Sequence, residues 1–332
     1  MPPRSGWASG RRLRRMRAGI YNSGLRRRCG SHPAFTAIGR PARPCIRTMS
    51  LILQSPAPLS ANDIDAIRAI AQAPTLALRA ETVAAADASA ALTPALREAL
   101  DAYCGPRSID WAIVPAGRKL SDFKLVAMDM DSTLITIECI DEIADFCGLK
   151  AEVSAITEAA MRGEITDFNE SLRRRVALLK GLDASVLDRV YEERLRLSPG
   201  AEDMLRTVQA LGMRTLLVSG GFVHFTEKLK PRLKLDVTRA NTLEIIDGKL
   251  TGQVVGEIVN ADVKARTVQE VCAQIGAEPS QAIVMGDGSN DLKMMAVAGL
   301  SVAFRAKPVV RAQASVAFNH VGLDGLLQLF PH

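Results

Sequence analysis

The strongest constraint on this chain is the stretch 124–134, Lys-Leu-Val-Ala-Met-Asp-Met-Asp-Ser-Thr-Leu. Leu125 to Met128 form a short apolar run with no helical period, which predicts a strand buried on both faces. The run ends in two acids, Asp129 and Asp131, followed by Ser132 and Thr133. A carboxylate in apolar surroundings is pushed toward its neutral form unless something compensates it, and a cation is the simplest remedy. Open parallel sheets bind ligands at the carboxyl edge of their strands. Asp129 and Asp131 are therefore candidates for a metal-assisted acid or nucleophile pair. The same residues would also serve a capped turn, with Asp131 or Ser132 opening a helix, so the rest of the chain has to decide.

Two later strands end in the same way. Thr215–Val218 runs into Ser219-Gly220-Gly221-Phe222, and Ala282–Met285 runs into Gly286-Asp287-Gly288-Ser289-Asn290-Asp291. Helices between these strands and a further strand at Leu300–Phe304 imply a doubly wound α/β core with a parallel sheet covered on both faces. Parallel strands bring all three ends to one edge. There Asp129, Asp131 and Asp287 would make an oxygen-rich site suited to Mg²⁺, which keeps waters and a substrate phosphate in its shell. We expect Gly220 and Gly221 to open a helix and offer N–H donors to an anion, and Lys264, near a helix start at Asp262, to add a cation. Ser219-Gly-Gly alone is also turn chemistry, and Lys264 alone is also an ordinary surface lysine. Their order along one chain suits phosphoryl transfer: a metal, a cation and amides around the transferred group, a carboxylate nucleophile, and a second carboxylate for proton transfer. No G-x-x-x-x-G-K-[ST] loop occurs.

The chain has 332 residues, of which 48% are hydrophobic and 23% charged, a globular composition. Aromatics make up 4%, too few for a stacking surface for single-stranded nucleic acid. The net charge of +6 misleads: residues 1–48 hold 12 arginines and no acid, and without them 30 basic residues face 36 acidic ones. Residues 1–48 read as a disordered Arg-rich extension; an organellar transit peptide and a nucleic-acid arm share that composition. Residues 49–118 read as a small α+β module. Leu51–Leu53 and Ile109–Val114 are expected strands, Ile64, Ile67 and Ile70 an apolar helix stripe after Ser60, and Ala84–Ala102 mostly helical with Pro94 near a helix start. Residues 119–332 would be the catalytic core, with a helical insertion at about 137–197 acting as a lid. A hairpin is expected around Asp247-Gly248. The six scattered cysteines show no C-x-x-C pair and read as reduced thiols in a cytoplasmic protein.

The four motifs resemble those of the haloacid dehalogenase superfamily over residues 120–325. These are Asp129-x-Asp131-x-Thr133, Ser219, Lys264, and Gly286-Asp287-Gly288-x-Asn290-Asp291. Within that superfamily the chain resembles the phosphoserine phosphatase family. Glu138-Cys-Ile-Asp-Glu-Ile143, Ala160-Met161-Arg-Gly163 and Ser171-Leu-Arg-Arg-Arg175-Val176 match that family's cap, and Ser219-Gly-Gly-Phe222 and Ala240-Asn241-x-Leu243-Glu244 its core. The segment from Met161 to Phe168 is one residue longer than the family's M-x-G-x-x-x-F spacing.

The resemblance implies a Rossmann-like core with an inserted cap. It also implies Mg²⁺-dependent hydrolysis of O-phospho-L-serine through an aspartyl-phosphate, the last step of serine synthesis. Asp129 would be nucleophile and Asp131 general acid/base, with Mg²⁺ held by Asp129, Asp287 and the backbone carbonyl of Asp131. Ser219, Gly220 and Lys264 would bind the phosphoryl group, Glu138 the substrate ammonium and Arg175 its carboxylate. Met161 and Phe168 would line the pocket, and Asn290 and Asp291 would order the phosphate and metal surroundings. Without the resemblance, Glu138 and Arg175 read as helix-surface charges. Another small phospho-amino acid, such as phosphohomoserine, remains open as substrate. A regulatory protein with an inactive core is the rival class. A small-molecule substrate, no nucleic acid, no membrane, and a monomer or homodimer complete the expectation.

Overall fold

The computed structural model describes residues 49–330 except 90, 91 and 163; the expectation for residues 1–48 lies outside them. The chain begins with β1 (Met49–Gln54), α1 (Ala61–Ala71), β2 (Ala77–Ala80), β3 (Val83–Ser89), α2 (Pro94–Cys104) and β4 (Asp110–Pro115). The four strands form an antiparallel sheet in the order β2-β3-β1-β4. Ser60 caps α1 by accepting the Asp63 N–H, and Thr93 caps α2 by accepting the Leu96 N–H, as expected of hydroxyl residues ahead of an apolar stripe. Strand alternation sends Leu51, Leu53, Ala84 and Ala86 against Ile64, Ile67 and Leu100 of these helices. Ile52, Val83, Ala85, Ala112 and Val114 face the other way, into the main core beside Leu326 and Phe330.

Ala84–Ser89 is thus strand, not the helix its alanines suggest. It lies between β1 and β2, with Ala85 opposite Ile52 and Ala84 opposite Leu53. Small side chains let a sheet buried on both faces approach its neighbours, and tertiary pairing overrides helix propensity.

The core follows with β5 (Leu125–Met128). Four helices come next: α3 (Cys139–Phe146), α4 (Lys150–Met161), α5 (Phe168–Ala177) and α6 (Ser185–Arg189). Their two ends are joined, since Ile135 bridges Leu197, the Thr136 N–H donates to Arg196 O at 2.9 Å, and the Ser198 N–H donates to Leu134 O at 3.0 Å. The chain then alternates through α7 (Ala201–Ala210), β6 (Arg214–Phe222), α8 (Val223–Leu233), β7 (Val237–Ile246), β8 (Lys249–Val255), α9 (Ala261–Gln274), β9 (Ala282–Gly286), α10 (Leu292–Val297), β10 (Leu300–Phe304), α11 (Pro308–Gln313) and β11 (Val316–Phe318). The sheet order is β11-β10-β9-β5-β6-β7-β8. All neighbours are parallel except the β7–β8 hairpin, whose turn carries Asp247 and Gly248 at positive φ.

Alternate residues of the central strands feed two cores. Val126, Met128, Leu217 and Met285 pack with α7 and α8 on one face. Leu125, Ala127, Leu216 and Val284 pack with α9 and α10 on the other. The sheet is therefore doubly covered, and the adjacent central strands β9, β5 and β6 end along one edge. The expected helix start at Gly220–Gly221 is displaced: both glycines belong to the end of β6, and α8 begins at Val223. No helix among the described residues is long and apolar enough to cross a membrane.

Candidate active site

Each strand end supplies one part of the site. After β5, Asp129 is 5% exposed. Its Oδ1 accepts the Met130 N–H at 2.7 Å, and its Oδ2 lies 2.6 Å from Lys264 Nζ. The chain then makes a tight turn in which Ser132 takes a left-handed conformation (φ +54°). In this turn the Ser132 hydroxyl donates to Glu138 Oε1 at 2.7 Å and the Thr133 hydroxyl donates to Asp287 Oδ1 at 3.2 Å. Asp131 Oδ2 accepts the Cys139 N–H at 3.3 Å, while its Oδ1 is buried with no hydrogen-bond partner. Burial, reinforced by Glu138, holds the Asp131 carboxyl well above the usual carboxylate range.

At the end of β6, the Ser219 Oγ accepts the Gly221 N–H at 2.8 Å, which leaves its own O–H free to donate. The Gly220 carbonyl is fixed by Asn241 Nδ2 at 2.7 Å, and Asn241 Oδ1 in turn accepts the Val259 N–H at 2.8 Å. A Cβ at Gly221 would stand 3.1 Å from Asp131 Oδ2, and one at Gly220 would stand 3.2 Å from the Phe168 ring. The backbone here passes close beneath both side chains, which explains the glycine pair.

After β9, Asp291 Oδ2 accepts the N–H groups of Asp287 and Gly288 at 3.1 and 3.0 Å. Its Oδ1 receives Lys264 Nζ at 2.8 Å. Cβ atoms at Gly286 and Gly288 would collide with Asp291 and Asn290 at 2.3 and 2.2 Å, so the spacing Gly-Asp-Gly-x-Asn-Asp is a steric requirement of this loop. Lys264 projects from the first turn of α9, which Asn260 caps by accepting the N–H groups of Asp262 and Val263. Lys264 is fully buried. Burial alone would lower its pKa, but Asp129 and Asp291 outweigh that and raise it, so the ammonium stays charged.

One carboxylate oxygen from each of Asp129, Asp287 and Asp291 lies within 4.8 Å of the others. Asp287 is pushed up to about 7 by burial and by Asp129, Asp291 and Glu138, against the opposing Thr133 hydrogen bond. A partly buried, oxygen-only donor set with this excess of negative charge fits a hard divalent cation. Asp291, with two backbone N–H groups of its own loop on Oδ2 and Lys264 on Oδ1, is suited to hold the loop. The Asp131 carboxylate is not one of this group of three.

Residues from α3–α5 close the other side of a cavity of about 520 Å³ that also contains Asp129, Asp131, Ser219, Gly220, Asp287 and Asn290. Glu138, Phe168 and Arg175 line it. Burial raises the Glu138 carboxyl and lowers the Arg175 guanidinium, the latter opposed by Asp141 and Glu138. Of the three consecutive arginines on α5, Arg174 pairs outward with Glu170 at 2.7 Å, Arg173 is exposed, and only Arg175 lines the cavity. The Met161 side chain lies outside the described residues.

Two charged lining residues have no role in the sequence reading. Asp141 carries a buried Oδ1 with no partner and follows Glu138 by three residues, the spacing that puts two side chains on one helix side. Lys307, whose N–H donates to the Asp287 carbonyl at 3.2 Å, follows β10 in a loop with no motif to signal it.

Comparison with known proteins gives the family. Residues 123–299 match the haloacid dehalogenase-like hydrolase family, and residues 51–100 match a domain of unknown function, DUF4072. A phosphoserine phosphatase of Polaromonas sp. is 59% identical over 215 residues, covering 64% of this chain and 91% of that protein. The crystal structure of a probable phosphoserine phosphatase from Vibrio cholerae superposes with a TM-score of 0.71 at 36% identity, covering 86% of each chain. A phospho-aspartyl intermediate analogue of a phosphoserine phosphatase superposes with a TM-score of 0.59 at 36% identity, covering 64% of this chain and all of that one. The chain belongs to the phosphoserine phosphatase family of haloacid dehalogenase-like hydrolases.

Proposed function

We propose that the protein is a Mg²⁺-dependent phosphatase that hydrolyses O-phospho-L-serine to L-serine and phosphate. The observation that carries this reading is a single cavity with Asp129 on one wall and Glu138 and Arg175 on another. A phosphorylated amino acid needs an anion for its ammonium and a cation for its carboxylate, and Arg binds carboxylates with two parallel donors. The related phosphatase captured as a phospho-aspartyl analogue supports a carboxylate nucleophile.

In the first step an oxygen of Asp129 forms the bond to phosphorus as the serine Oγ–P bond breaks. Asp131, kept protonated by burial and by Glu138, gives its proton to the departing serine oxygen. Lys264, the Ser219 hydroxyl and the Gly220 backbone surround the phosphoryl oxygens with positive charge and donors. In the second step Asp131, now ionised, takes a proton from water as the water oxygen attacks phosphorus and the Asp129–phosphorus bond breaks. Mg²⁺, held by Asp129, Asp287 and the backbone carbonyl of Asp131, would neutralise charge on the phosphoryl oxygens. Asn290 and Asp291 keep the loop around it in place, and Phe168 completes the pocket. We place the reaction in the cytoplasm, in a monomer or homodimer; the four described cysteines are free thiols, as suits a reducing compartment.

The test is phosphate release from phosphoserine, phosphothreonine, phosphohomoserine and glycerol phosphate, with Mg²⁺ and with EDTA. Mg²⁺-dependent preference for phosphoserine is expected. Preference for phosphohomoserine would keep the Asp129 chemistry and reassign the pocket, and inactivity on all four would overturn the reading.

A further inference from the structure

A second cavity, about 500 Å³, shares no lining residue with the active site. It lies where α2 and the start of β4 face α11 and β11. Its floor is fixed by Asp110, 3% exposed, whose carboxylate accepts three backbone N–H groups, from Asn319, His320 and Val321, each at 2.9 Å. The other acid on the wall, Asp101, accepts the Trp111 indole N–H at 2.9 Å. Both lining carboxylates therefore already hold donors. Among the described residues the two guanidiniums pair with no acid. Arg97 sits one helical turn before Asp101, yet its guanidinium lies by the Trp111 ring, 5.4 Å from the centroid. Arg311 donates to the Asn319 side-chain oxygen, at 3.4 Å.

A cleft with two half-buried arginines, an indole and apolar walls at Ala312 and Val316 selects an anion with an apolar body. Guanidinium is weakly hydrated and matches a carboxylate in two-point geometry, while the oxygens of Asp101 and Asp110 are already taken by indole and backbone donors. We propose that this cleft is a binding site for a small organic carboxylate, its charged end between Arg97 and Arg311 and its carbon chain against Trp111.

The sequence supplies its own probe, because Trp7 and Trp111 are its two tryptophans. In the full chain carrying Trp7→Phe, Trp111 is the sole indole. Titration with succinate, against sodium chloride of equal ionic strength, is expected to change its fluorescence saturably. Arg97→Met and Arg311→Met, which keep the apolar stems, are expected to raise the midpoint about tenfold or more, as befits the loss of a charge-assisted contact. Thermal melting identifies any variant that fails to fold, and Arg97→Gln and Arg311→Gln then take its place. A drift that sodium chloride reproduces, or a midpoint unchanged in variants at both arginines, would overturn the proposal.

Discussion

Lys264 Nζ lies 2.6 Å from Asp129 Oδ2 inside the protein, with no solvent contact of its own. The same ammonium bonds Asp291 at 2.8 Å, so one cation ties the end of β5 to the loop after β9. Removing one member of a buried charge cluster costs about 3–5 kcal/mol, since the remaining charges lose their partner. Lys264→Met is expected to lose stability on that scale in urea denaturation and to lower kcat by at least about a hundredfold, the usual effect of removing a transition-state donor. Near-native stability would show that Lys264 is not the tie the geometry describes.

Arg175→Ala should separate substrates. A charge-assisted hydrogen bond is worth about 1.5–3 kcal/mol, so kcat/KM for phosphoserine should fall about ten- to a hundredfold or more. p-Nitrophenyl phosphate has no carboxylate for Arg175 to bind and should lose far less. Equal losses on both would remove Arg175 from substrate recognition.

The acidic cluster of Asp129, Asp287 and Asp291 should make stability depend on pH. The Asp287 carboxyl is raised from 3.8 to about 7 in the folded protein. A raised acid favours folding when protonated, so the metal-free protein is most stable below about pH 4 with respect to this group. That contribution is lost as pH rises toward 7. The melting temperature of metal-free protein should therefore fall between pH 5 and 7.5, and Mg²⁺ should raise it more at pH 7.5 than at pH 5. Asp287→Asn should weaken both trends, with Asp291, also pushed up to about 7, carrying the remainder.

Asp110 joins the N-terminal module to the C-terminal segment through three backbone donors. Asp110→Ala orphans all three, at about 1–3 kcal/mol per buried group left unpaired. Asn319, His320 and Val321 are only half-buried, so water recovers part of this, and we expect a loss of roughly 2–4 kcal/mol with KM for phosphoserine unchanged. A changed KM would mean that the module bears on the active site.

Much of the site is legible because strand ends carry it. A short apolar run that stops at an acid or a serine fixes both the strand and the edge where its side chain emerges, which is how Asp129, Ser219 and Asp287 can be read from the sequence. Lys264 is different: a lysine in a first helical turn looks solvated until the fold buries it completely. Arg175 cannot be told from Arg173 and Arg174 by pattern, because all three share one helix and only packing decides which turns inward. Ala84–Ser89 misleads because alanine is a good helix former chosen here for its size, between two strands. Asp141 could have been found from its spacing to Glu138. Lys307 could not, since its place depends on how the loop after β10 meets the Asp287 backbone.

The central claim is that Asp129 carries the phosphoryl group. Rapid acid quench of the enzyme with Mg²⁺ and radiolabelled phosphoserine, followed by peptide mapping, tests it directly. The label should appear on the peptide containing Asp129, and Asp129→Asn should show neither label nor turnover. Substantial phosphoserine turnover by Asp129→Asn, or label on another residue, would contradict the account.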